Sequence, residues 1–238
     1  MGYRISFDQA DQIFEKLGEA YEIWAPKRFA GKGRYSQTDL IRYDKVCKMG
    51  EIEYKEKSDL PAKEVLSPIT QSLFYFTEDE FIESKAGRKK LLVFMRPCDI
   101  HALHHQEKIY LENGGFADLY YQRMKDRVKI VMMECVSGWD TCFCVSMGTN
   151  QAEDYSAAIR FEENDVLMDV TDEDLAPYFD GSKETEFKPE YIKENQMTVK
   201  IPDIPDKEVL TKLKEHPMWK EFDKRCVSCG ACTVACST

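Results

Sequence analysis

The closing stretch RCVSCGACTVACST constrains this chain more than any other. Its cysteines, Cys226, Cys229, Cys232 and Cys236, are spaced C-x2-C-x2-C-x3-C. Three thiolates at two-residue gaps line a concave loop, and a cubane iron–sulfur cluster takes one thiolate per iron. Ser228, Gly230 and Ala231 are small enough for the backbone to approach the sulfides and donate N–H bonds to them. Zinc is the competing reading, but it usually takes four tetrahedral ligands from two separated C-x2-C pairs, and here there is one compact run. Where this spacing occurs in pairs, the fourth cysteine serves the other cluster. No second run follows within the 238 residues, and Ser237 stands where a proline usually follows the fourth cysteine. The expectation is a shortened polypeptide; the alternative is a site completed by another subunit.

A second group of cysteines lies mid-chain. In KKLLVFMRPCDIHAL the short apolar run Leu91 to Met95 predicts a buried strand, with Cys98 at its C-terminal end. In VKIVMMECVSGWDTCFCVSMGTN another buried strand leads to Cys135, then Cys142 and Cys144 in a loop. Between them, Asp99 is expected to cap a helix over IHALHHQEKIY, and LYYQRMKDR reads as a second short helix. Strand, helix, strand implies an α/β or α+β fold with a mixed sheet core, flanking helices and at least one crossover. If the two strands are neighbours, all four thiols converge at one sheet edge, where α/β proteins commonly place ligands. An extended C-x-C would aim Cys142 and Cys144 the same way. Gly138 and Gly148 would let the loop fold over a cluster. Buried structural cysteines and a redox-active pair remain open alternatives, although the C-x-x-C form of the latter is absent.

Elsewhere, Ala10, Ile13, Phe14 and Leu17 recur at helical spacing, with Asp8 as N-cap and Gly18 as a stop. AYEIWAP reads as a strand, and GRYSQTDLIRYDKV and GEIEY as extended. SAAIRFEENDVLMDV predicts a hairpin about Glu163–Asp165. KEVLTKLKEH and PMWKEFDKRC read as helices, with Pro217 at a start. FTEDEFIE reads as an acidic surface helix, SKAGRKK as a basic solvated turn, and IPDIPDKE as a surface connection. A boundary near residue 215 gives an α/β domain over 1–215, holding the internal cysteine site. Residues 216–238 begin a ferredoxin-like dicluster segment, incomplete in this chain.

Composition excludes several classes. A formal net charge of −10 disfavours nucleic acid, which needs a basic footprint. No apolar run reaches the length of a membrane span, and the N-terminus lacks a signal core, so the expectation is a cytoplasmic protein without membrane contact. Nine cysteines in such a chain point to metal rather than disulfides; Cys47 stands apart and reads as a core thiol. His101, His104 and His105 lie on the helix after Cys98, His101 and His105 one turn apart, but without H-E-x-x-H they read as surface or packing residues. No phosphate-binding or acyl-nucleophile motif is present. Tyr120 and Tyr121 are candidate exposed anchors for a partner.

SPITQSLFYF, RPCDIHAL, ECVSGWDTCFCVSMGTN with DYSAAIRF, and RCVSCGACTVAC together resemble the iron–sulfur electron-transfer component of anaerobic sulfite reductase, as does APKRFAGKGRYSQTD. The resemblance runs from about residue 20 to the end. It implies a non-catalytic iron–sulfur relay within a three-part cytoplasmic oxidoreductase. A flavin subunit would oxidise NADH, this chain would relay the electrons, and a sirohaem subunit would reduce sulfite to sulfide. It further implies 4Fe–4S clusters: one internal, on Cys98, Cys135, Cys142 and Cys144, and up to two of ferredoxin type in a longer chain, to which Cys226, Cys229, Cys232 and Cys236 contribute. Family members carry a second cysteine run beyond the point where this sequence stops. Related hydrogenase and sulfhydrogenase β subunits share the cysteines, so a relay to another catalytic partner is the alternative. A zinc-stabilised interaction module is the rival from a different class.

Overall fold

The computed structural model describes residues 1–67, 70–84, 87, 89–201 and 207–237. Three residues of SKAGRKK (85, 86 and 88), most of IPDIPDKE (202–206) and two residues of SPITQSLFYF (68 and 69) lie outside them.

The four central strands explain why the middle of the sequence is so apolar. They are β2 (Tyr21–Phe29), β6 (Lys90–Met95), β7 (Val128–Met133) and β8 (Ala157–Phe161), adjacent and parallel. A parallel strand covered on both faces needs apolar residues at every position, not alternate ones. Successive residues therefore enter opposite cores. Leu92, Phe94, Val131 and Met133 join one cluster, and Leu91, Val93, Met95, Ile130 and Met132 the other.

Antiparallel strands extend the sheet on both sides. β3 (Leu40–Lys45) pairs with β2 at one edge. At the other, β9 (Asp165–Val170) returns from β8 through a turn closed by Glu162 N–H to Asp165 O at 2.9 Å, the hairpin expected from sequence. β1 (Gly2–Ser6) then pairs with β9, and the short β10 (Lys183–Glu184) with β1. The result is a mixed eight-stranded sheet in the order β10-β1-β9-β8-β7-β6-β2-β3. This is the mixed-sheet α/β class that the sequence implied.

Helix α1 (Phe7–Ala20) buries Ala10, Ile13, Phe14 and Leu17 on one face of the sheet. Its N-cap is Ser6, in a reciprocal capping box with Gln9; Asp8 lies inside the first turn, and the helix runs through Gly18. On the other face lie α2 (Lys63–Leu66), α3 (Pro97–Glu107) and α4 (Leu119–Lys125). The remaining elements are the four-residue α5 (Cys144–Met147) and α6 (Lys207–Lys214), α7 (Met218–Arg225) and α8 (Ala231–Ala235). No helix among the described residues is long and apolar enough to cross a membrane.

Three further expectations are corrected. FTEDEFIE is no helix: β4 (Phe74–Phe76) and β5 (Phe81–Glu83) form a separate hairpin. GEIEY begins as a short 3-10 turn that buries Met49, with Ile52 bridging to Lys27. Most of GRYSQTD is irregular, and only its continuation forms β3.

One ion pair on this frame gives a pH prediction. Lys129 Nζ donates to Asp172 Oδ1 and Oδ2 at 2.6 and 2.5 Å, both side chains largely covered. Burial alone would raise the Asp172 carboxyl, but Lys129 and the Asp174 N–H outweigh it and hold it below its ordinary value. A depressed carboxyl stabilises the fold above its unfolded pKa, and that contribution is lost as pH falls through the folded value. Urea titrations should therefore show stability falling from pH about 5 downward, and Asp172→Asn should lose about 1–2 kcal/mol at neutral pH with a shallower acid slope.

Candidate functional site

Register brings the internal cysteines together. β6 and β7 pair with Met95 opposite Met132, so Cys98 and Cys135 each follow three residues beyond the same rung. Both thiols therefore leave the sheet at the carboxyl edge of its parallel strands.

Cys98 is not in a loop before the helix. Arg96 is the N-cap of α3, Pro97 its first residue, and Asp99 occupies the third position, its carboxylate accepting the Arg96 N–H at 3.3 Å. Asp99 thus closes the first turn from inside rather than capping it. Cys98 falls within that turn, where the helix dipole favours a thiolate. Its surface is open to solvent, yet protein surrounds it densely enough that burial, followed by the charges of Asp99, Cys135 and Cys144, pushes the thiol up. Arg96 acts in the opposite direction.

Cys135, Cys142 and Cys144 lie on the loop after β7. Cys135 forms a parallel bridge to Tyr191, and its carbonyl accepts the Ile192 N–H at 2.8 Å. The strand-like segment around Tyr191 thereby runs beside the cysteine loop. Cys142 closes a turn through its N–H to Trp139 O at 2.8 Å, and Trp139 N–H returns to Cys142 Sγ at 3.3 Å. Phe143 has φ −140° and ψ 21°, and Cys144 opens α5, which ends on Gly148 at φ 66°. The C-x-C pair is therefore a turn followed by a helix start, not the extended arrangement expected. Burial raises the Cys135 thiol; Arg96 opposes this, and Cys144, Cys142 and Asp99 add to it. Cys98 stands within electrostatic reach of Cys135 and Cys144, and Cys135 within reach of Cys142 and Cys144. Among the described residues, no group of three or more His, Cys, Asp or Glu side chains is arranged to hold a metal ion as it stands.

The charge behind the site is Arg96, one of two buried polar residues among the described residues, with 7% of its surface exposed. Its guanidinium donates to Tyr54 O and Glu56 O, both at 3.1 Å, and lies 4.6 Å from the Trp139 ring centroid. Asp99, beside it, also accepts the Tyr43 hydroxyl at 3.3 Å. Gly138 is tightly enclosed: a Cβ there would lie 3.0 Å from Ile192 Cδ1 and 3.2 Å from both Asn195 Nδ2 and Cys142 Cβ, so these neighbours would have to give way. Gly138→Ala should push the Cys142 turn away from the 192–195 segment and lower iron uptake at least several-fold, checked by iron per chain after anaerobic reconstitution.

Sequence reasoning did not single out Arg96 or Asn195. Arg96 carries a readable signal, a lone cation between a buried strand and a cysteine. Asn195 sits in irregular chain about fifty residues past Cys144 and has no local signal. Its Oδ1 accepts the Val145 N–H at 2.8 Å, and Cys144 Sγ lies 3.6 Å away.

The terminal cysteines lie on a different segment, after α7. All four are exposed. Ser228 (φ 55°) and Gly230 (φ 72°) take left-handed conformations that curl the run, and Ser228 N–H donates to Cys226 Sγ at 3.4 Å. Lys63 Nζ donates to Thr233 O at 2.6 Å, and Ser237 lines a small crevice with Met95 and Asp99. The run thus lies against α2 and the start of α3.

The remaining candidates serve structure. His101 Nε2 is 2.7 Å from Gln151 O and His104 Nε2 is 3.0 Å from Asp154 Oδ2, tying α3 to the chain after the cysteine loop. Cys47 is exposed rather than in the core, because Glu51 draws its N–H into a surface turn at 2.6 Å. Tyr121 is buried and stacked on Tyr110 at 4.6 Å, so it is no free anchor; Tyr120 is half-buried.

Fold and site together define an α/β protein with a cysteine-lined sheet edge and a second, compact cysteine run. Among curated proteins the chain is similar to sulfhydrogenase 2 subunit beta of Pyrococcus furiosus, 26% identical over 249 aligned residues that cover 95% of this chain and 69% of the relative. It is a distant homologue of that hydrogenase-type β subunit, which belongs to a multi-subunit oxidoreductase. No family model matches the chain, and no solved structure does.

Proposed function

We propose that this chain is an iron–sulfur electron-relay subunit of a multi-subunit oxidoreductase. What supports the proposal is that Cys98, Cys135, Cys142 and Cys144 all follow the carboxyl ends of the adjacent strands β6 and β7, with Cys135 within electrostatic reach of the other three; four thiols would serve the four irons of a cubane. Two details of the surroundings fit such a group. The glycine at 138 leaves clear a space that a Cβ would fill, and the Asn195 amide nitrogen beside it is buried without an acceptor. Bound there, a 4Fe–4S cluster would accept and pass on single electrons.

The protein's own part is to bind and to tune. Arg96 offsets negative charge gathered at the site, and the first turn of α3 adds the positive end of a helix. Cys226, Cys229 and Cys232 would hold a ferredoxin-type cluster with a fourth ligand from a second run, and Cys236 would serve the companion cluster. On this reading residues 1–215 form the domain of the internal cluster, and 216–238 belong to the ferredoxin-like segment.

Two catalytic partners are in play. The quoted motifs resemble the iron–sulfur component of anaerobic sulfite reductase, which implies cytoplasmic relay from an NADH-oxidising flavin subunit to a sirohaem subunit. The likeness to a sulfhydrogenase β subunit favours a hydrogenase-type partner instead.

The test is anaerobic reconstitution with iron and sulfide, then EPR of the dithionite-reduced protein. A brown protein with a reversible reduced-cluster signal supports the relay. Colourless protein that binds zinc or keeps its thiols free would replace it with an interaction module.

A further inference from the structure

We infer that Asn195 is a positioning residue for the internal cluster, presenting its side-chain N–H to the sulfur shell; the inference rests on the relay reading above. The orientation of the amide is fixed by its neighbours. Oδ1 accepts the Val145 N–H at 2.8 Å, which only the carbonyl end can do. Nδ2 must therefore face the other way, and there it is buried with no acceptor. A buried donor without a partner is costly, and each such group in a folded protein calls for an explanation.

Its location supplies one. The point 3.2 Å from Nδ2 is also 3.2 Å from Cys142 Cβ, directly over the Cα of Gly138. Nδ2 and Cys142 Cβ thus flank the same small space over Gly138, with no side chain from residue 138 to fill it. The segment that carries Asn195 is held in place independently. Ile192 N–H donates to Cys135 O and Asn150 Nδ2 to Ile192 O, each at 2.8 Å. One residue therefore touches both Cys144 and Val145, on a segment anchored through Cys135.

The chemistry of loading accounts for the spare donor. Each thiol that ligates iron gives its proton to solvent and becomes an acceptor only. Cys144 then has no S–H to offer Oδ1, but Oδ1 keeps the Val145 N–H. The Nδ2–H gains what it lacks in the empty site, a thiolate or sulfide to donate to. A clamp on Val145 alone would need only an acceptor, and aspartate would serve. The amide is explained by the donor. N–H bonds to cluster sulfur offset the charge added on reduction and raise the potential.

The experiment uses the full chain in a Cys226→Ser background, so that EPR reports the internal cluster. Asn195→Asp keeps the acceptor for Val145 and removes the donor. The expected result is iron and sulfide equal to the parent, a lower reduction potential by EPR-monitored titration, and loss of one exchangeable deuteron coupling in ENDOR spectra recorded in D2O. Asn195→Leu, neutral and of similar volume, should lower the potential too, which separates the donor from the charge; it carries the same readings if the aspartate variant does not load. Unchanged potential and couplings in a variant with normal iron overturn the role of Asn195 alone. A parent protein that binds no iron overturns the relay reading and this inference together.

Discussion

Cys98→Ser protein, reconstituted anaerobically, should lose the about four irons of the internal cubane, whereas Cys226→Ser should keep them. The contrast follows from where the thiols stand. Cys98 lies in the first turn of α3, within electrostatic reach of Cys135 and Cys144. Cys226 is exposed on the separate run after α7. Cys135→Ser, Cys142→Ser and Cys144→Ser should behave as Cys98→Ser does. Serine is near in volume, and none of the four cysteines is a core residue, so the apo variants should melt within about 1 kcal/mol of the parent. Iron and acid-labile sulfide per chain, with the EPR amplitude of the reduced protein, decide the matter. Iron that follows the terminal cysteines and ignores Cys98 would move the only cluster to the terminal run. Full iron in every single variant would mean non-specific binding.

The elements that were legible in the sequence are those whose burial is dictated locally. Leu91 to Met95 and the apolar run of β7 read as strands covered on both faces, but that they are neighbours comes from the structure, across a long crossover that holds α3 and α4. The α1 stripe was equally plain, because four apolar residues at helical spacing need one face of a sheet. The hairpin β4–β5 was illegible for the opposite reason. Phe74, Tyr75, Phe76, Phe81 and Ile82 are all exposed, so no core imposes a period on them, and the acidic turn between reads equally well as a helix. The place of β1 could not be read either. Five residues next to a helix gain strand form from β9 and β10, more than 150 positions away.

The candidate site divides in the same way. Its cysteines announced themselves by spacing and by their position after buried strands. The groups that hold them did not. Asn195 lies in an irregular segment that is held beside the site by the bridge between Cys135 and Tyr191 and by the bonds of Ile192 to Cys135 and Asn150. Cys47 misled because a thiol with no motif is usually a core residue, whereas here a surface carboxylate captures its backbone. Asp99 suits an N-cap, and that reading starts α3 three residues late. Pro97 at the first position and the Arg96 N–H to Asp99 bond give the actual boundary.

Arg96→Met should destabilise the apo protein by about 3–5 kcal/mol, the cost typical of removing one partner from a buried charged network. Methionine replaces the length of the side chain but none of its donors. The Tyr54 and Glu56 carbonyls would each lose a bond of 3.1 Å, and the Trp139 ring would lose the cation stacked on it at 4.6 Å. The Asp99 carboxyl, raised by burial and held down chiefly by Arg96, would be left without its main compensating charge. Arg96→Lys should recover only part of the loss, since an ammonium offers no planar face to Trp139 and cannot reproduce the guanidinium fork. Urea unfolding of the three proteins measures the series. The same change bears on loading, because Arg96 favours the thiolate at both Cys98 and Cys135. Arg96→Met should therefore take up iron more slowly than the parent at neutral pH, even under conditions where both are folded. Parent-like unfolding in Arg96→Met would mean that the network relaxes around the gap. Parent-like uptake would mean that the cation stabilises the fold without preparing the thiols.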